Sequence, residues 1–139
     1  MDIDRIRKKL AALRNYELRL KNIAPKDIKS YLNADITIKS AVERNIQLVS
    51  DTELDILVLL YKALQLNLAG DDESVIERVG KKLSAELIDK IKKRRELRNR
   101  LIHAYADSAY DRDVFSQASD LSDIDDFEKE ITKLMKKEG

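Results

Sequence analysis

The chain has no cysteine and no tryptophan, one proline, three glycines and one histidine among 139 residues. Without cysteine there is neither a disulfide framework nor a thiolate metal site. With His103 as the only imidazole, a cluster of histidine ligands is excluded too. Pro25, Gly70, Gly80 and Gly139 are the only helix breakers of their kind, so long helices meet little interruption. Apolar runs are short, and the longest, Ile56 to Tyr61, suits a core segment rather than a membrane span. The opening Met-Asp-Ile-Asp-Arg has neither the basic start nor the apolar stretch of a signal peptide. A soluble cytoplasmic protein is therefore expected, with no membrane association. No Walker loop, dinucleotide fingerprint or Gly-x-Ser-x-Gly elbow occurs, and no cofactor or metal is expected. A carboxylate site using Asp51 and Asp55, four residues apart, is possible, but nothing else in the sequence supports it.

What is present is helical periodicity. The length suits one domain over residues 1–139, long enough to bury a core without staples. Ile3, Ile6, Leu10, Leu13 and Leu20 recur at helical spacing and predict a first helix to about Asn22. Pro25 suits the first turn of a short helical piece from Lys26 to Tyr31. A long helix from about Ala34 to Leu66 would turn Ile38, Val42, Ile46, Val49, Ile56, Leu60 and Leu64 to the core. The polar turn Gly70 to Ser74 precedes a short helix to about Lys82. Ser84 then caps a helix carrying Leu87, Ile88, Ile91, Leu97, Leu101 and Ile102. After a turn over Asp107 to Asp113, one last helix is expected from about Arg112 to Lys136. The fold class is all-α: an antiparallel four-helix bundle with short additional helices.

Charge is balanced overall and uneven locally. Arg78 to Arg100 holds ten Lys or Arg against three acids, whereas Asp107 to Glu130 holds nine acids against Arg112 and Lys129. Two solvated helices that attract each other explain this as well as a basic strip for a polyanion does, and on charge alone they explain it better.

The segment Arg94 to Tyr105 sharpens the question. It places the lone His103 behind a run of arginines and two residues before Tyr105. Histidine is the side chain whose ordinary pKa lies nearest working pH, and arginine is permanently charged and forked to match phosphate oxygens. RNA cleavage without a metal needs a base for the ribose 2′-hydroxyl, an acid for the leaving 5′-oxygen and a cation for the developing charge. Arg95, Asn99 and His103 lie along one helix face, with Arg94, Arg98 and Tyr105 on a neighbouring line. Arg98 and His103, five apart, stand ~140° from each other around an ideal helix. They do not stack, and one histidine does not readily serve as acid and base at once. A two-fold dimer would answer both difficulties. A solvated helix end, with His103 favoured by the helix dipole and Tyr105 and Tyr110 as ordinary amphipathic residues, explains the same letters. Spacing leaves both readings open.

Arg98-Asn-Arg-Leu-Ile-His103-Ala-Tyr105 matches Arg-x4-His-x-Tyr, and with it the chain resembles HEPN domains, most closely the HepT-like toxin branch. The likeness extends to the Met-Asp-x-Asp-Arg-Ile opening, to Ala41-Val-Glu-Arg44 and to Asp55; Ala104 stands where the family often has glycine. The resemblance implies a helical homodimer with a composite groove where the motifs of two chains meet. It implies a metal-independent ribonuclease, the toxin of a pair whose antitoxin is a minimal nucleotidyltransferase able to transfer AMP to the motif tyrosine. Carried over, Arg98 binds the scissile phosphate, His103 acts in acid–base catalysis, and Tyr105 accepts AMP or contacts the site. Asn99 orients the site, while Arg95, Arg44, Asp51 and Asp55 support or line the groove. Some HEPN proteins are instead non-catalytic partners that bind a nucleotide or a nucleotidyltransferase, and that alternative stays open here.

Overall fold

A computed structural model describes residues 2–64, 71–103 and 107–138. They form α1 (Ile3–Ile23), α2 (Ile28–Leu32), α3 (Ile36–Ala63), α4 (Asp72–Gly80), α5 (Ala85–His103), α6 (Asp111–Ser119) and α7 (Ser122–Glu138). A short 3-10 turn, Ser108–Tyr110, precedes α6, and no strand occurs among the described residues. None of these helices is long and apolar enough to cross a membrane.

Short polar side chains set where the helices begin. Asp2, Asp27, Asp35 and Asp71 each accept a hydrogen bond from the backbone N–H three residues on. Ser84 Oγ does the same for Leu87 at 3.3 Å, as its position predicts. Pro25 stands before α2 rather than in its first turn, because Asp27 is the residue that caps it. Residues 104–106, which include Ala104 and the motif tyrosine Tyr105, lie outside the described residues, as do Gln65 and Leu66 at the expected end of the long helix.

The expected last helix is two. Asp120 adopts an extended conformation, and its Oδ1 accepts from Ser122 N and Ser122 Oγ at 3.2 and 2.7 Å. In the run Ser119 to Asp123 such local bonds compete with the helical ladder, and they win at Asp120. The turn at Asp107 is shorter than predicted, since α6 already starts at Asp111.

α3 is the central element and packs against α1, α4, α5 and α6. Ile6, Leu13 and Leu20 of α1, Val42, Ile46, Val49, Ile56 and Leu60 of α3, Leu97 and Leu101 of α5, and Phe127 and Ile131 of α7 are buried in one cluster. Ile38 was expected in that core and is 37% exposed, in a first turn of α3 where Ile36 and Thr37 are exposed as well. Ile102 is 45% exposed beside His103. Gly80 ends α4 against α5, where a Cβ would come within 2.9 Å of Ile88. Asp51 pairs with Arg98 and Glu53 with Arg94, so α3 and α5 run in opposite directions.

Candidate active site on the α5 helix

The α5 helix carries its apolar stripe at Leu87, Ile91, Leu97 and Leu101, and Arg94 falls within that stripe. The structure buries Arg94 to 3% exposure. Its Nη1 donates to both oxygens of Glu53 at 2.9 and 3.0 Å, and Nη1 and Nη2 donate to Asp123 at 2.9 Å each. Burial works against the guanidinium charge, but Glu53 and Asp123 together outweigh it and hold Arg94 above its ordinary pKa. Burial pushes the Glu53 carboxyl up, against the pull of Arg94 and with a further push from Asp123. Arg94 is thus no neighbour of Arg98 at a surface. It is the centre of a buried ionic triad joining α3, α5 and α7, and the break at Asp120 precedes the turn of α7 that brings Asp123 to it.

One turn later, Arg98 emerges. Its side chain is 25% exposed and its Nε donates to Asp51 Oδ1 at 2.7 Å, while Nη1 donates to Asn99 Oδ1 at 3.2 Å. Asn99 therefore touches Arg98 through its side-chain oxygen. His103 is the last residue of α5 and is exposed. Arg95 points elsewhere: its Nη2 donates to Asp72 at 2.8 Å, with Glu73 3.6 Å from Nε, at the start of α4.

On α3, Arg44 and Asp51 are seven residues apart and share a stripe. Arg44 is exposed and has no ion-pair partner among the described residues. Because α3 and α5 are antiparallel, Arg44 lies ~10 Å from Asp51 in the direction in which α5 runs from Arg98 to His103. Asp55 extends the stripe the other way and accepts from Lys9 Nζ of α1 at 3.0 Å, in an exposed pair. Asp51 and Asp55 serve different cations. No group of three or more metal-ligating side chains occurs among the described residues.

At least half of the basic strip is ion-paired, though not as the charge pattern suggested. Lys92 pairs with Glu77 of α4, Lys93 with Asp89 of its own helix, Arg95 with Asp72 and Arg98 with Asp51. Among the described residues, the acidic stretch from Asp107 to Glu130 meets the strip in an ion pair through Asp123, on Arg94. Asp125 and Glu128 take Arg14, Asp111 takes Lys39, and Glu130 accepts from Ser84.

The sequence reasoning missed Glu53 and Asp123, and it placed Arg94 beside the site. A signal was available: an arginine at a core position of an amphipathic helix needs buried acids, and such charges are rarely buried unpaired.

No curated protein matches the chain, and no solved structure does. A family model described as Ribonuclease HepT-like matches residues 6–134, from the first turn of α1 to the last turns of α7. With the motif of Arg98 and His103 inside that match, the chain belongs to the HepT-like ribonuclease family.

Proposed function

We propose that this protein is a metal-independent RNA endonuclease, the toxin of a HepT and minimal nucleotidyltransferase pair, acting in the cytoplasm as a homodimer. The bundle is read as four long members, α1, α3, α5 and the α6–α7 pair. The observation that carries the reading is the arrangement of α5 within a ribonuclease family. Arg98 is anchored against α3, and His103 stands exposed at the helix end, ~140° away around the axis. Two chains related by a two-fold axis bring His103 of each to Arg98 of the other and supply a second imidazole.

The chemistry is transesterification. One His103 takes the proton of the ribose 2′-hydroxyl, whose oxygen attacks the adjacent phosphorus. The bond to the 5′-oxygen breaks, and the other His103, protonated, gives that oxygen its proton. Arg98 neutralises the charge on the non-bridging oxygens. The products are a 2′,3′-cyclic phosphate and a 5′-hydroxyl. Tyr105, two residues past His103, is the proposed acceptor of AMP from the nucleotidyltransferase, a modification that would silence the site.

The test is expression of the chain alone, with RNA assayed in EDTA. Wild type should cleave and arrest growth, and His103→Ala should lose about 10²–10⁴-fold in rate. Equal, intact RNA with wild type and His103→Ala would refute the nuclease. Retained binding to a nucleotidyltransferase would then mark a non-catalytic partner. A strictly monomeric, fully active protein would refute the composite site.

A further inference from the structure

We infer that Asp51 is a positioning residue that aims Arg98 at the scissile phosphate. The inference rests on the reading of Arg98 as the phosphate-binding cation. A guanidinium has five N–H donors and two edges that match a phosphate, one formed by Nε and Nη2 and one by Nη1 and Nη2. Asp51 Oδ1 takes Nε–H at 2.7 Å, which occupies the first edge. Asn99 Oδ1 takes one Nη1–H at 3.2 Å. One Nη1–H and both Nη2–H remain without a partner among the described residues, so three donors away from Nε are left for a substrate.

The framework for this aim is rigid. Arg94 is one turn before Arg98 on α5, and Glu53 is two residues after Asp51 on α3. Their buried pairing, completed by Asp123, sets the register of the two helices before Asp51 and Arg98 meet. A long side chain on a fixed backbone still samples many rotamers, and a half-buried carboxylate 36% exposed removes most of that freedom. Asp51 also opposes the incoming phosphate by its charge. Orientation and repulsion are therefore separable by chemistry. Asparagine keeps an oxygen for Nε–H and drops the charge, whereas alanine removes both.

Steady-state cleavage of an RNA by wild type, Asp51→Ala and Asp51→Asn separates the possibilities, with the Arg98 Nε–H signal followed by ¹⁵N NMR. Asp51→Ala should lose about 10²-fold in kcat with little change in KM, as expected when a reacting group is misplaced. Asp51→Asn should restore most of that kcat and lower KM. The Nε–H signal should be protected from exchange in wild type and Asp51→Asn and lost in Asp51→Ala. Wild-type kcat in Asp51→Ala overturns the inference. Faster cleavage by Asp51→Ala does too, since Asp51 would then be a latch on Arg98. Equal impairment of both variants means that charge, not aim, is what matters, and an unchanged Nε–H signal in Asp51→Ala means that the contact is absent in solution. Wild type that cleaves nothing refutes the ribonuclease reading and this inference with it, an outcome distinct from an active enzyme indifferent to position 51.

Discussion

Arg94 and Arg98 are one helical turn apart, share a helix and each bind acids of α3, yet they occupy opposite regimes. Arg94 is 3% exposed, with two carboxylates on four hydrogen bonds through Nη1 and Nη2, and its burial closes it to a ligand. Arg98 is 25% exposed, with one carboxylate on Nε and Asn99 on Nη1, and three of its five N–H donors have no partner among the described residues. Depth and the number of acids at hand separate the two. A charge taken out of water needs full pairing, so the protein spends the reactivity of Arg94 on joining three helices. At the surface one partner suffices to orient the group, and the remaining donors stay available.

Breaking each arginine should therefore give opposite phenotypes. Arg94→Ala leaves Glu53 and Asp123 buried beside each other without a cation, and a loss of about 3–5 kcal/mol in chemical denaturation is expected. A loss below about 1 kcal/mol would mean that the triad is hydrated or remote from the core. Arg98→Ala should leave stability within about 1 kcal/mol of wild type, as for a partly exposed pair. Its cleavage rate should instead fall about 10²–10³-fold, the usual effect of removing a group that stabilises transition-state charge. If the two variants exchange these outcomes, the assignment of roles is wrong.

A smaller effect probes how α7 reaches the triad. Asp120→Ala removes the acceptor that holds Ser122 N and Oγ at the break between α6 and α7. The expected loss is about 1 kcal/mol, typical of a helix cap. A stability equal to wild type would show that the break is imposed by packing of Leu121 and Ile124 rather than by Asp120.

The difference between the two arginines also marks how far the sequence could be read. Helical periodicity located α1, α3, α4 and α5 to within a few residues, because their apolar stripes, Ile38 and Ile102 apart, are buried or packed where spacing says they should be. The Arg98 and His103 motif was legible as a pattern, and so was the fact that the two do not share a face. The partner of Arg98 was not. Asp51 and Asp55 read alike at i and i+4, and only packing sends one to α5 and the other to Lys9 of α1. The break at Asp120 was hidden as well, since the apolar period of Val114, Ala118, Leu121 and Ile124 runs straight across it. Local hydrogen bonding overrode a pattern that reports burial alone.

A difference in slope with pH tests whether the triad carries one negative charge too many. Arg94 offers one positive charge to two carboxylates, and burial raises the Glu53 carboxyl above its ordinary 4.5. With a raised folded pKa, the folded state keeps a proton that the unfolded chain releases as pH climbs past that ordinary value. The stability tied to protonated Glu53 is thus complete below 4.5 and is lost as pH rises through the raised value. Glu53→Gln is neutral at every pH, so it forgoes this loss while Asp123 still pairs with Arg94 on both Nη groups. Relative to wild type, Glu53→Gln should gain stability as pH rises above 4.5, at no more than about 1.4 kcal/mol per pH unit for one proton, until the raised folded value is passed. Denaturation at intervals across that range checks the sign directly. Parallel curves, or a wild type that gains on the variant as pH rises, would mean that Arg94 holds both carboxylates ionised and that attraction exceeds the penalty of burial.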